Sequence, residues 1–119
     1  MSNAADAAET FIQSIAAGEF EAARQFLGSD FSFEGPFDTF SSAEPYLAAI
    51  RQLHAMVLGV KIKKVFADGD DVCVLYDLST NSPAGTAFIC EWMRFRGGKI
   101  ASVRAVFDAR PFAAAFGGA

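Results

Sequence analysis

One glutamate interrupts the most apolar stretch of this chain, the run "FICEWMRF" at residues 88–95. Side chains of an extended strand alternate between two faces, so Ile89, Glu91, Met93 and Phe95 point one way and Phe88, Cys90, Trp92 and Arg94 the other. Glu91 therefore shares a greasy face. A carboxyl group there is paired with a cation such as Arg51 or Arg104, exposed at a rim, or held in a pocket where desolvation raises its pKa. In the last case it serves as a general acid or hydrogen-bond donor. His54, the single histidine, falls on the inward face of a helical run beside Leu53; it is either a hydrogen-bonded core residue or a base working with Glu91. The Tyr76 hydroxyl either serves a ligand or is satisfied on Glu91. Asp38, in "FDTF", caps a turn or swings towards a site as a substitute base.

Other chemistries lack their residues. "DGDD" at 68–71 has the acidity of a calcium loop without its ligand spacing and reads as a hairpin turn. One histidine and two distant cysteines make no zinc site, and there is no glycine-rich phosphate loop or serine elbow. No metal and no cofactor are expected.

The elements that position these residues are legible from periodicity. "ADAAETFIQSIAA" sets Ala8, Phe11, Ile12 and Ile15 on one helical stripe that stops at Gly18. "EFEAARQFL" predicts a second helix, closed by Gly28, Ser29 and Asp30 before an extended "FSFEGPF". A third helix starts after Ser41 or Ser42, tolerates Pro45 in its first turn and runs to about Val57, with Leu47, Ile50, Leu53 and His54 facing inward. From Gly59 the period changes to two. "VKIKKVFA", "DVCVLYDL", "TAFICEWMRF" and "KIASVRAVFD" are predicted strands joined by "DGD", "STNSPAG" and "RGG", an antiparallel meander. Helices followed by a long sheet are an α+β pattern in which the helices cover one face. The other face still carries Trp92, Leu75 and Val106, which a second copy of the chain would bury, so a homodimer is expected.

The totals fit one domain spanning residues 1–119. The chain is 52% hydrophobic with 13 Phe, enough for a thick core or a lined cavity. The net charge of −4, with its basic residues scattered, recommends neither a nucleic-acid nor a membrane surface. Cys73 and Cys90 lie in strand-like runs and are expected to be buried free thiols in a reducing compartment. The start "MSNAADAAETF" lacks a basic segment followed by an apolar one, so the expected location is cytoplasmic.

Taken in order, "AAGEFEAARQFLGSDFSFEGPF", "AAIRQLHA" and "GGKIASVRAVFD" resemble the nuclear transport factor 2-like superfamily, in particular its SnoaL-like and ketosteroid isomerase-like branch. The resemblance implies a cone in which three N-terminal helices pack on a curved, mainly antiparallel sheet enclosing an apolar pocket. It also implies dimerisation through the opposite sheet face. By the same resemblance the pocket is lined by Phe11, Phe33, Phe37, Leu53, Met93 and Phe107, with His54, Tyr76 and Glu91 as polar tips. The isomerase's general base would stand at Gly35 and its oxyanion-hole tyrosine at Phe11, and neither side chain can do that work. Its second oxyanion-hole group, a carboxylic acid kept protonated, matches Glu91, and a pocket tyrosine matches His54. Three functions fit: binding a small hydrophobic carbonyl- or hydroxyl-bearing molecule with cofactor-free isomerase, cyclase or dehydratase chemistry, binding without turnover, or a dimeric structural role.

Overall fold

The computed structural model describes residues 3–115. Helix α1 (Ala4–Ala16) opens with Asn3, whose side chain accepts a hydrogen bond from the Asp6 amide and satisfies one of the free first-turn donors. Its stripe of Ala8, Phe11 and Ile12 is buried. Gly18 takes φ +78°, a left-handed conformation that costs glycine little, and turns the chain directly into α2 (Phe20–Arg24).

Here sequence and structure part. The expected second helix continues through Leu27, but α2 ends at Arg24 and strand β1 already runs over Leu27–Glu34. The reason is sheet pairing: Leu27 lies beside Ile100, and the Ile100 amide donates to the Phe26 carbonyl, which outweighs the modest helical preference of "QFL". After β2 (Thr39–Phe40), helix α3 (Ala43–His54) has Ser42 as its N-cap residue and Pro45 in its first turn, as expected. It stops earlier than Val57, because Val57 opens β3 (Val57–Asp68) and pairs with Thr80.

Strands β4 (Asp71–Thr80), β5 (Thr86–Arg96) and β6 (Lys99–Val106) complete the meander, and a short helix α4 (Arg110–Ala115), not expected from the sequence, follows. The sheet order is β2-β1-β6-β5-β4-β3. All neighbours are antiparallel except β1 and β6, which run parallel with Phe33 beside Val103. Register shifts at Ile62/Lys64 and Arg94/Phe95 mark irregularities of the kind that bend strands, and the long sheet curls around the helices. This is the α+β cone that the resemblance implies.

The core lies inside the curl. Phe11, Phe31, Leu47, Val72, Val74, Met93 and Ile100 are fully enclosed, each large side chain contributing roughly 1.5–3 kcal/mol by leaving water. Alternation along β5 is strict: Ala87, Ile89, Glu91, Met93 and Phe95 are buried, while Phe88, Trp92 and Arg94 are exposed on the outer face. Cys73 and Cys90 are free but half-buried on that outer side, not deep in the core, because both share the parity of Trp92.

Candidate functional site

Glu91 projects from β5 into the concave side of the sheet with only 6% of its surface exposed. Its lateral neighbours are Val74 on β4 and Ala105 on β6, which supply no charge. Neither Arg51 nor Arg104 reaches it: Arg51 pairs with Glu21 and Arg104 with Glu34. Among the described residues the only hydrogen bond to the carboxyl comes from Tyr76, whose hydroxyl donates to Oε2. Oε1 is buried and has no partner among the described residues. Burial pushes the Glu91 pKa up to about 7, against a smaller downward pull from the Tyr76 hydrogen bond.

Two cavities meet at this carboxyl. The larger, about 240 Å³, is walled by Phe33, Phe37, Asp38, Leu53, Tyr76, Glu91 and Phe107, as well as by Phe40, Tyr46 and Phe112. The smaller, about 60 Å³, lies towards α1 and is walled by Ile12, Ile15, His54, Val57 and Val60 together with Leu53, Tyr76 and Glu91. No lysine or arginine lines either one. Phe37, half-exposed, leans on Phe107 with ring centres 6.2 Å apart, and Phe107 meets Phe112 of α4 at 5.5 Å. Asp108 anchors the start of α4 by accepting from both the side chain and the backbone amide of Arg110, which holds its own pKa down at about 2.

Two expected wall residues sit elsewhere. Phe11 and Met93 are wholly enclosed in the core and line neither cavity, since Phe11 packs against Phe26 under α1 and Met93 lies further along β5, between Val72 and Val103. His54 is also more committed than a free base. Its Nε2 lies 3.1 Å from the Ala16 carbonyl oxygen, which can only accept, so Nε2 carries a hydrogen, and in the neutral ring Nδ1 has the lone pair. Its ring stands edge-on to Phe20 and covers Gly18, where a Cβ would come within 3.0 Å of Cε1. Asp38 lies exposed on the larger cavity's wall. At Gly35 a Cβ would come within 2.9 Å of the Phe33 ring, so Phe33 occupies the space that a longer residue there would need.

Sequence reasoning missed Tyr46. It belongs to the wall of both cavities, is 3% exposed, and packs 5.0 Å from the rings of Phe31 and Phe33. Burial, then the nearby Glu91 charge, raises its phenol pKa well above the usual value, and the same two causes act on Tyr76. The signal was present: Tyr46, Ile50 and Leu53 fall on one helical stripe at i, i+4 and i+7.

A family model described as a SnoaL-like domain matches residues 8–103, which run from within α1 into β6 and include Tyr46, His54, Tyr76 and Glu91, while Phe107 and Phe112 of the cavity wall lie beyond the match. The chain belongs to the SnoaL-like domain family. Solved structures agree on the fold of this SnoaL-like chain. An NTF2-like protein of unknown function from Cytophaga hutchinsonii superposes with a TM-score of 0.83 at 27% identity, covering 94% of this chain and 96% of that one. A de novo designed protein with a curved β-sheet matches with a TM-score of 0.80 at 26% identity, over 92% and 90% of the two chains. An LEH-like epoxide hydrolase from M. tuberculosis matches with a TM-score of 0.76 at 24% identity, over 97% and 90%, a likeness that speaks to fold alone. No curated protein sequence matches the SnoaL-like chain. No helix among its described residues is long and apolar enough to cross a membrane.

Proposed function

We propose that the cavity binds a small, mostly hydrophobic molecule carrying a carbonyl or hydroxyl group, and that Glu91 donates a hydrogen bond to that oxygen. One observation carries this reading: Glu91 stands in the wall of an otherwise apolar cavity with its Oε1 buried and without a partner among the described residues. A carboxyl with a pKa of about 7 is mostly protonated below pH 7 and still half protonated at that pH. Because Oε2 already accepts from Tyr76, a proton on Oε1 is free to point at a ligand.

Next to a carbonyl, such a donor stabilises the oxygen as it gains charge while a base removes a proton from the adjacent carbon. That is cofactor-free isomerase, cyclase or dehydratase chemistry. His54 takes the base role through Nδ1, and Asp38 is the second candidate from the larger cavity's wall. A binding module without turnover is the second reading. It is favoured by Gly35 and Phe33 at the expected base position, and by the hydrogen bond that ties His54 to Ala16.

The apolar outer face, with Phe66, Phe88, Trp92 and Val106 exposed, supports a homodimer. The free thiols of Cys73 and Cys90 support a cytoplasmic setting.

The test is a pH series of binding with a neutral aryl ketone, followed by NMR together with the Glu91 carboxyl-carbon shift. Affinity is expected to fall about tenfold per pH unit above pH 7, and to become independent of pH in Glu91→Gln, whose amide keeps a donor. A Glu91 pKa near 4.5 with pH-independent ketone binding would overturn the reading.

A further inference from the structure

The two cavities share Tyr46, Ile50, Leu53, Tyr76, Leu78 and Glu91 as a common wall, so the Glu91 side chain borders space on two sides. A ligand whose oxygen hydrogen-bonds Oε1 from the larger cavity has its carbonyl carbon beside that wall, with one substituent behind it in the larger chamber. The smaller chamber is the only other space that these residues adjoin among the described cavities. At about 60 Å³ it exceeds the roughly 10–15 Å³ that one water needs, and Ile12, Ile15, Val57 and Val60 make most of its wall apolar. Apolar, roomy and unoccupied by any side chain, it suits a short alkyl group better than a water cluster.

We infer that the smaller chamber is a second subsite, which takes an alkyl arm of two or three carbons borne on the same carbon as the oxygen that Glu91 contacts. The ligand class is then a neutral ketone or secondary alcohol with its oxygen inside the molecule. Terminal aldehydes leave the subsite empty, and carboxylates are disfavoured because an apolar wall without lysine or arginine does not repay the loss of their hydration. This inference rests on the Glu91 reading above and adds the shape of what Glu91 recognises. It also bears on chemistry, because the first carbon of that arm is the one whose proton becomes acidic in a ketone, and His54 lines the chamber that receives it.

The experiment compares naphthaldehyde with the methyl, ethyl, propyl and tert-butyl naphthyl ketones by NMR titration. In the wild type, affinity is expected to rise about fourfold for each added carbon up to the ethyl or propyl ketone, and to drop for the tert-butyl ketone. Val60→Phe fills the subsite and is expected to abolish the rise while leaving naphthaldehyde binding within about twofold. Ile15→Ala enlarges it and moves the optimum to a longer arm, a result that carries the test alone should Val60→Phe fail to fold. A rise that persists in Val60→Phe with an optimum unmoved by Ile15→Ala would overturn the subsite. In that outcome naphthaldehyde binding that still weakens above pH 7 leaves the Glu91 reading standing. If no member of the series binds, both fall.

Discussion

Tyr76 and Glu91 are diagonal partners across β4 and β5: Tyr76 lies beside Ile89 and Glu91 beside Val74, yet the phenol reaches over to donate to the carboxyl. Diagonal neighbours on one sheet face are within reach of long side chains, which is how two polar groups meet inside an apolar wall. Losing that donor should raise the acid further. In Tyr76→Phe the Glu91 pKa is expected to climb above about 7, because the hydrogen bond is what opposes desolvation. Carboxyl-carbon NMR checks this, and a pKa that falls instead would show that burial is not the dominant cause.

Stability should carry the same signature with a definite sign. Unfolded, Glu91 ionises near 4.5; folded, it keeps its proton to about pH 7, so the native state binds more protons between those values. Stability is therefore lost as pH rises through that window, by roughly 3 kcal/mol at its upper end, and nothing from this group changes below pH 4.5. Glu91→Gln should erase the decline. Urea unfolding of both proteins at pH 5 and pH 8 measures the difference, and equal pH slopes would refute it.

His54 joins the end of α1 to the end of α3 through its bond to the Ala16 carbonyl. His54→Ala should cost about 1–3 kcal/mol, since it leaves that carbonyl short of a partner and removes the ring from Phe20 and Gly18. His54→Gln offers an amide donor and should recover part of the loss. For any substrate that is turned over, Gln is expected to restore stability and not rate, a deficit of about 10²–10⁴-fold. Restoration of both would make the residue a clamp alone.

The outer sheet face gives a prediction about assembly. Phe88 and Val106 are exposed, at 56% and 60%, and neither carries structural weight in the core. The pair Phe88→Asp and Val106→Asp should convert the proposed dimer to a monomer with an unaltered Glu91 titration. Sedimentation equilibrium decides the matter, and a wild type that sediments as a monomer at tens of micromolar would end the proposal.

Alternation along β5 made the face of Glu91 readable from the sequence, because a period of two puts it with Ile89, Met93 and Phe95, while the choice among an ion pair, an exposed rim and a desolvated pocket stayed open until the structure showed it buried. The helical stripes were equally plain. What was hidden arose from contacts between distant segments. Leu27 became strand because Ile100 lies beside it, and no local window contains both. Tyr46 was overlooked although its stripe was visible, since an aromatic in a helix reads as core until the facing carboxyl is known. Phe11 and Met93 erred the other way: parity says which face a residue takes, but not how far along the cone the cavity ends. The α4 helix escaped notice because its pattern is a short alanine run after Pro111, with a single buried ring, Phe112, to fix it.

The parallel pairing of β1 with β6 sets the order in which this molecule is completed. During synthesis, α1, α2 and β1 leave the ribosome long before β6, and until Val103 arrives β1 has only the two-residue β2 beside it, paired at Phe33 and Glu34. The β3–β6 meander, whose neighbours are joined by short turns, is the part able to organise first. A nascent chain released before Lys99 would carry the carboxyl site's glutamate and tyrosines but no strand to join the two halves of the sheet, and it would be a substrate for chaperones rather than a smaller working cone.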